Sequence, residues 1–254
     1  MRTLVLCIGN TSLFGGVFSG RRLMVRFRAP VREAATARGF TRHVPARARG
    51  RIGQAVFCSV VPSLTPKVSR LVQRTFGVAP RLLTTDSPHG LAIGYDRPKE
   101  LGTDRLAAAL GARALFPGQN VIVVDCGTTT TVTALRGDGT LLGGAILPGL
   151  PLWPSMLSTS TAQLPLVRWR RPRTALGRSP HEAIESGIYF GQGGAVRELV
   201  QRIRAEAFGR VRTVIVGTGG NASRLRPQNL FAIHSPELIL IGLNAFAQMT
   251  SLHD

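Results

Sequence analysis

Two short stretches carry residue types that could handle phosphate. "LVLCIGNTS" at 4–12 and "IVVDCGTTT" at 122–130 each run an apolar strand into a turn of glycine with amide or hydroxyl side chains. Aligning Cys7 with Asp125 superposes them at an offset of 118 residues, 125 less 7. A strand ending in Asp-x-Gly-Thr suits phosphate for a concrete reason. Glycine lets backbone come close, exposed N–H groups and hydroxyls donate to phosphate oxygens, and the carboxylate organises a cation. One such turn is equally an ordinary β-hairpin; the duplication is what points to a nucleotide tail held from two sides. A third turn, "GTGGNAS" at 217–223, adds Gly219 and Gly220, where backbone could approach a nucleoside. The first copy has a cysteine where the second has its carboxylate.

Elements to position these turns follow from periodicity. Strands are expected at 3–8, 15–18 and 22–27, a helix over 30–38, a strand at 54–61 and a helix from 65 that ends at Gly77. The clearest helix is "TDRLAAALGARAL" at 103–115, rich in alanine, with Thr103 or Asp104 at its start. From 121 the pattern restarts as strand, turn, strand, "GDG" turn and strand, followed by helices at 180–190 and 194–207 and a strand-turn at 213–223. Strands alternating with helices in two related halves imply an α/β protein of two similar lobes with a cleft between them. The expected division is 1–117, carrying the first phosphate loop, and 118–254, carrying the second loop and the glycine turn.

Composition narrows the function classes. At 254 residues, 44% hydrophobic, the chain can bury ordinary cores, and its apolar runs, such as 121–124 and 238–243, are far too short to span a membrane. No signal-peptide pattern opens the sequence, and Cys7, Cys58 and Cys126 lack metal-ligand spacing, so a reducing cytoplasm is expected. The formal charge of +19 raises the idea of a polyanionic partner. Only Lys67 and Lys99 are lysines, and 20–51 holds ten arginines against Glu33, a pattern expected of a solvated basic face or strand edge. Only Phe27 and Phe40 interrupt that run and no nucleic-acid motif appears, so no specific nucleic-acid partner is expected. A second basic cluster, "VRWRRPRTALGR" at 167–178, could steer an anionic substrate. His43, His89, His181, His234 and His253 share no spacing and are expected at the surface.

In order and spacing, "CIGNTSLFGGVF", "YDRPKELGTDRLAAA", "VVDCGTTTTVTAL", "LLGGAILPGL", "STAQLP", "LGRSPHEAIESGIYFG" and "VIVGTGGNA" resemble the type III pantothenate kinases, from residue 4 to about residue 243. The resemblance implies two duplicated ribonuclease H-like lobes of the acetate and sugar kinase/Hsp70/actin (actin-like ATPase) superfamily around a nucleotide cleft. It implies ATP-dependent phosphorylation of pantothenate to 4′-phosphopantothenate, the first step of coenzyme A biosynthesis. It also implies Mg²⁺, a monovalent cation such as K⁺ or NH₄⁺, and a homodimer whose acceptor pocket lies near the subunit interface. By position, Asp104 resembles the base that accepts the hydroxyl proton, and Tyr95, Gly102, Thr103, Arg105 and Pro180 resemble substrate contacts. Asp125 resembles the monovalent-cation ligand. Thr128, Gly219 and Gly220 resemble ATP contacts, together with the first loop of Cys7, Ile8, Gly9, Asn10, Thr11, Ser12, Leu13 and Phe14.

Three positions depart from the family pattern. Cys7 replaces an aspartate that helps hold Mg²⁺, and a neutral thiol is a poor ligand for a hard cation. Pro180 stands where a substrate-contacting threonine is expected, and Thr133 where relatives are often acidic. These departures frame an alternative, a weakly active or non-catalytic relative with a binding or regulatory role.

Overall fold

A computed structural model describes residues 1–48 and 50–250. In chain order the elements are β1 (Arg2–Ile8), β2 (Ser12–Ser19), β3 (Arg22–Pro30), α1 (Val31–Ala34), α2 (Ala37–His43), β4 (Gln54–Ser59), α3 (Thr65–Phe76), β5 (Arg81–Leu82), β6 (Ala92–Ile93) and α4 (Thr103–Leu115). There follow β7 (Asn120–Cys126), β8 (Thr129–Leu135), β9 (Thr140–Pro148), α5 (Leu152–Ser160), α6 (Pro180–Phe208), β10 (Thr213–Thr218), α7 (Ala222–Leu225), β11 (Ile233–His234) and α8 (Leu238–Thr250). They form two compact units, Met1–Pro117 with the chain from Glu237 onward, and Gly118–Pro236.

The first unit's strands run in the order β3-β2-β1-β4-β5, with β1–β2 and β2–β3 antiparallel and β1–β4 and β4–β5 parallel. The second unit repeats this as β9-β8-β7-β10-β11, with the same sense at every step. Even the bulge recurs, between Val17 and Phe18 in β2 and between Ala134 and Leu135 in β8. β1 is the central strand, and Leu4, Val5, Leu6 and Ile8 are buried on both its faces, which is why it reads as a continuous apolar run. Each unit has its own core, one joining Leu6, Leu13, Phe27 and Phe40 to Val68 and Val72, the other joining Ile122, Val132, Ile188 and Val196 to Leu225.

Three expectations need correction. α8 was placed with the second lobe by its position in the chain, but it packs in the first unit against α4. Small residues permit that crossing: a Cβ on Gly242 would strike the Ala107 carbonyl, and one on Gly111 would strike that of Leu238. Asn244 and Gln248 of α8 then donate to the Gly20 carbonyl at 3.0 and 2.9 Å, fastening the helix to the β2–β3 hairpin. The helix expected over 30–38 is two helices, because Thr36 Oγ1 accepts from Gly39 N–H at 3.1 Å and caps a new start. The helices expected at 180–190 and 194–207 are one, α6. The helix runs through its central glycines unbroken, and one of them is a site of close approach, since a Cβ on Gly193 would fall on the Gln228 amide. Buried Gln192 anchors that midpoint by accepting from Trp153 Nε1 at 2.7 Å and donating to Thr130 Oγ1 at 3.0 Å.

Candidate active site

The first turn is built from the central hairpin of its unit. Gly9 N–H donates to the Ser12 carbonyl at 3.0 Å, and Val31 N–H donates to the Thr11 carbonyl at 3.0 Å, tying the loop to the start of α1. Cys7 lies opposite Phe14 in β2 and opposite Cys58 in β4, while Phe14 lies opposite Arg28 in β3. Paired residues share a face, so these four form a row across the sheet. Both thiols are buried. The Cys58 thiol is pushed well up by its hydrogen bond to Cys7, then by burial, with the charges of Cys7 and Asp104 adding to the shift. The Asp104 carboxylate is therefore an electrostatic neighbour of this pair.

Asp104 reaches that position because α4 starts against the end of β4. Thr103 Oγ1 donates to the Ser59 carbonyl at 3.0 Å, and the N-cap is Gly102, with φ −59° and ψ 130° and no side-chain cap bond. Asp104 is thus the second residue of the helix and not its cap. Its Oδ1 accepts from the Arg105 N–H at 2.8 Å, and a Cβ on Gly102 would sit 2.6 Å from that oxygen. Burial raises the Asp104 pKa, against the opposing pull of the Arg105 N–H and guanidinium. Arg105 is itself buried; its Nη1 donates to the Tyr95 hydroxyl, and its guanidinium carbon lies 5.5 Å from the Tyr95 ring centre. Beside Thr103 opens a cavity of about 450 Å³ lined by Ser59, Thr65, Leu83, Thr84 and Leu101.

The second turn keeps the closure of the first, with Gly127 N–H donating to the Thr129 carbonyl at 3.0 Å. Asn221 clamps it from the glycine turn: its N–H donates to the Cys126 carbonyl at 2.9 Å and its Nδ2 to the Gly127 carbonyl at 3.2 Å. Gly149 N–H donates to the Thr128 carbonyl at 3.1 Å. Gly219 has φ +89°, and a Cβ there would collide with Asp125 Oδ1 and come within 2.7 Å of Cys126 N. The carboxylate thus rests in space that a missing side chain leaves open. Burial, then the Asp125 charge, push the Cys126 thiol up to about 12.

The predicted residues therefore gather by unit: the Cys7–Phe14 turn, Tyr95 and Gly102–Arg105 in the first, Asp125, Thr128, Gly219 and Gly220 in the second. Pro180 belongs to neither turn. It is the first residue of α6, where the helix needs no N–H, behind the Ser179 cap that accepts from Glu182 N–H at 3.2 Å. Beside it, Arg170, Arg171, Arg173 and Arg178 line a cavity of about 510 Å³ with Glu182 and Glu185. His89 corrects the expectation of a surface histidine: it is buried, accepts from Leu91 N–H at Nδ1 (3.1 Å) and bonds the Thr85 carbonyl at Nε2 (3.2 Å). His253 lies outside the described residues. Sequence reasoning missed Cys58 and Asn221 as parts of the site. Their signal is register, since Cys58 lies one residue before the end of the strand that pairs with β1 and Asn221 follows the two glycines of the third turn.

Among the described residues, no three histidine, cysteine or acidic side chains cluster to hold a metal. The hard Asp125 carboxylate in its open cradle fits a hard cation such as K⁺ or Mg²⁺; the Cys7–Cys58 thiols do not.

Duplicated units of this topology, each ending its central strand in a phosphate-type turn, define the actin-like ATPase fold. Solved structures share it at low identity. A Campylobacter jejuni chain described as a Baf family transcriptional activator superposes with a TM-score of 0.61 at 17% identity, covering 98% of this chain and 99% of that one. A Thermus thermophilus ROK hexokinase superposes at 0.51 with 16% identity, covering 99% and 100%. Within that fold the family is given by sequence. The model of the type III pantothenate kinases matches residues 3–202. A type III pantothenate kinase of Legionella pneumophila (strain Corby) is 39% identical, covering 98% of this chain and 100% of that protein. One of Dehalococcoides mccartyi is 36% identical over 96% and 95%. The chain belongs to the type III pantothenate kinases, and it is an enzyme of the kinase class.

Proposed function

We propose that this chain transfers the γ-phosphoryl group of ATP to the hydroxyl of pantothenate, giving 4′-phosphopantothenate and ADP, with Asp104 as the base. The observation that carries the assignment is the placement of Asp104. Its half-buried carboxylate belongs to the second residue of α4 and not to the cap, is raised in pKa by burial, and is set beside the strand ends of the first phosphate turn. The pantothenate oxygen bonds to the γ-phosphorus as the bond to the β–γ bridging oxygen breaks, and the hydroxyl proton passes to Asp104. A carboxylate held above its usual pKa is better matched to taking that proton near neutral pH. Arg105, oriented by Tyr95, offers a planar fork to the pantothenate carboxylate or a phosphate. Thr103 spends its donor on Ser59, so its hydroxyl serves substrate as an acceptor.

Residues 7–14 and Thr128 supply turns for the ATP phosphates, and Gly219 and Gly220 the backbone approach for the nucleoside. Asp125 is the residue for the monovalent cation. Mg²⁺, when bound with ATP, neutralises phosphate charge; Cys7 gives it no hard ligand, so the nucleotide and water hold most of its shell. Further parts of the proposal are a homodimer, in which Pro180 faces the acceptor pocket, and a cytoplasmic location, in keeping with buried free thiols and with no membrane-length apolar helix among the described residues.

ADP release by the purified protein, measured with and without pantothenate and K⁺, tests this reading. ADP production that needs both supports it; no dependence on pantothenate favours a non-catalytic relative. Sedimentation that finds only fully active monomer at micromolar concentration overturns the dimer.

A further inference from the structure

Arg28 stands on the edge strand β3, at the outer end of the row that crosses the first turn. Its Cα pairs with that of Phe14, Phe14 pairs with Cys7, and Cys7 with Cys58. The Arg28 guanidinium carbon lies 4.6 Å from the Phe14 ring centre, so the charge leans inward over β2 instead of outward from the sheet edge. With neighbouring strands ~4.8 Å apart, it sits about one strand from the Cys7 column. Its neighbours on β3 behave differently. Arg26 is held by Glu237, whereas Arg28 makes no ion pair among the described residues. A ring face accepts no conventional hydrogen bond, so a guanidinium held over it keeps N–H donors for oxygen acceptors.

The second turn has a carboxylate, Asp125, at the strand position where the first has Cys7. A carboxylate there attracts a cation, which then meets phosphate; a thiol attracts none. We propose that Arg28 is a phosphate-binding residue of the first turn, its guanidinium meeting the terminal phosphates of the nucleotide where position 7 holds no cation ligand. The inference rests on the reading that this turn faces nucleotide phosphates. The bland alternative is a solvated edge arginine that only discourages strand pairing, and for that role Arg22, exposed on the same strand, is equivalent.

The two readings separate in a binding measurement made without pantothenate. ATP and AMP affinities are determined calorimetrically at ~0.15 M salt, near physiological ionic strength, for wild type, Arg28→Met, Arg28→Lys, Phe14→Leu and Arg22→Met, each checked for an unchanged melting temperature. Loss of a charge-assisted contact to phosphate should weaken ATP on the order of tenfold in Arg28→Met. AMP, which lacks the terminal phosphates, should bind as before. Arg28→Lys should recover part of the loss, Phe14→Leu should show a smaller loss through a less oriented guanidinium, and Arg22→Met should match wild type. Equal losses in Arg28→Met and Arg22→Met overturn the proposal, as do equal losses for ATP and AMP, or no ATP binding by wild type. A wild type that binds ATP but never phosphorylates pantothenate defeats the kinase reading and leaves this comparison standing.

Discussion

The two turns share a backbone and differ in chemistry. In both, the glycine two residues past the aligned Cys7 or Asp125 donates its N–H across the loop at 3.0 Å, to Ser12 in one and Thr129 in the other. The second turn is one residue shorter: Ile8 pairs with Leu13 across four intervening residues, Cys126 with Thr130 across three. Beneath the turns the parallel neighbours diverge. Cys7 faces Cys58 of β4, a buried soft pair, whereas Asp125 is paired in the ladder with Thr218 and rests beside Gly219. The first unit recovers a carboxylate from elsewhere, Asp104 at the start of α4, within electrostatic reach of Cys58. The hairpin geometry is common to the two turns, whereas the nearest carboxylate lies on a helix in one and on the strand in the other. The one on the helix is desolvated, which raises its pKa; the one in the strand lies beside Gly219, where a side chain would collide with it.

Removing the helix carboxylate should have the largest effect. Asp104→Asn is nearly isosteric, and turnover with pantothenate should fall by ~10²-fold or more, as for loss of a general base. Its raised pKa adds two checks. An acid whose folded pKa is raised is destabilising when ionised, so stability is lost as pH rises through that pKa. The amide variant should therefore melt no lower than wild type at neutral pH. In wild type the acid limb of the rate profile should lie above the ordinary aspartate range, since the base must be ionised to work. A fall in turnover of less than about threefold, far below what a lost base costs, would remove Asp104 from the chemistry.

Gly219→Ala should come next, because it disturbs the strand carboxylate. The methyl group would meet Asp125 Oδ1 at a backbone of φ +89°, so both sterics and conformation oppose it. Turnover should drop by an order of magnitude, about the cost of a sub-ångström shift in a positioned group, and K⁺ should no longer raise the rate as in wild type. An alanine variant with wild-type K⁺ response would show that Asp125 needs no such cradle.

How much of this contrast was legible in the sequence depends on how local each signal is. The turns, the offset of 118, α4 and the restart near 121 could be read because each lies within one hairpin or one helix. The extent of the second unit could not, because α8 is apolar nearly all round, and only its crossing with Gly111 shows which core it joins. The interruption expected between 190 and 194 is absent, because α6 runs on through its glycines there and Gly193 packs against Gln228, a tertiary contact that outweighs local propensity. Cys58 and Asn221 stayed hidden for the same reason, since a parallel ladder pairs residues 51 apart, 58 less 7, with no local mark of the register. His89 looked like a surface residue until its two backbone bonds showed that it fastens the loop from Thr85 to Leu91.

The one gain expected comes from making the first turn resemble the second. Cys7→Asp restores a hard ligand to a position next to Cys58 and within the reach of Asp104. Without metal, two carboxylates in one partly buried site repel, so the variant should melt lower than wild type, and added Mg²⁺ with ATP should restore the loss by binding only the folded form. With metal, Mg²⁺ gains a direct ligand, and the γ-phosphate is placed more accurately. A misplacement of about 1 Å can cost ~10²-fold, and recovering part of it should raise turnover or lower the Mg²⁺ requirement by roughly tenfold. Wild type should accordingly need unusually high Mg²⁺, and its cysteine should behave as an inert buried side chain, since Cys58 and no basic residue is its partner in the ladder. Mg²⁺ titrations of both proteins in one assay decide the matter. A variant no better than wild type would mean that the first turn already has its charge supplied from another group, and Arg28, at the end of the same row, is the residue to test beside it.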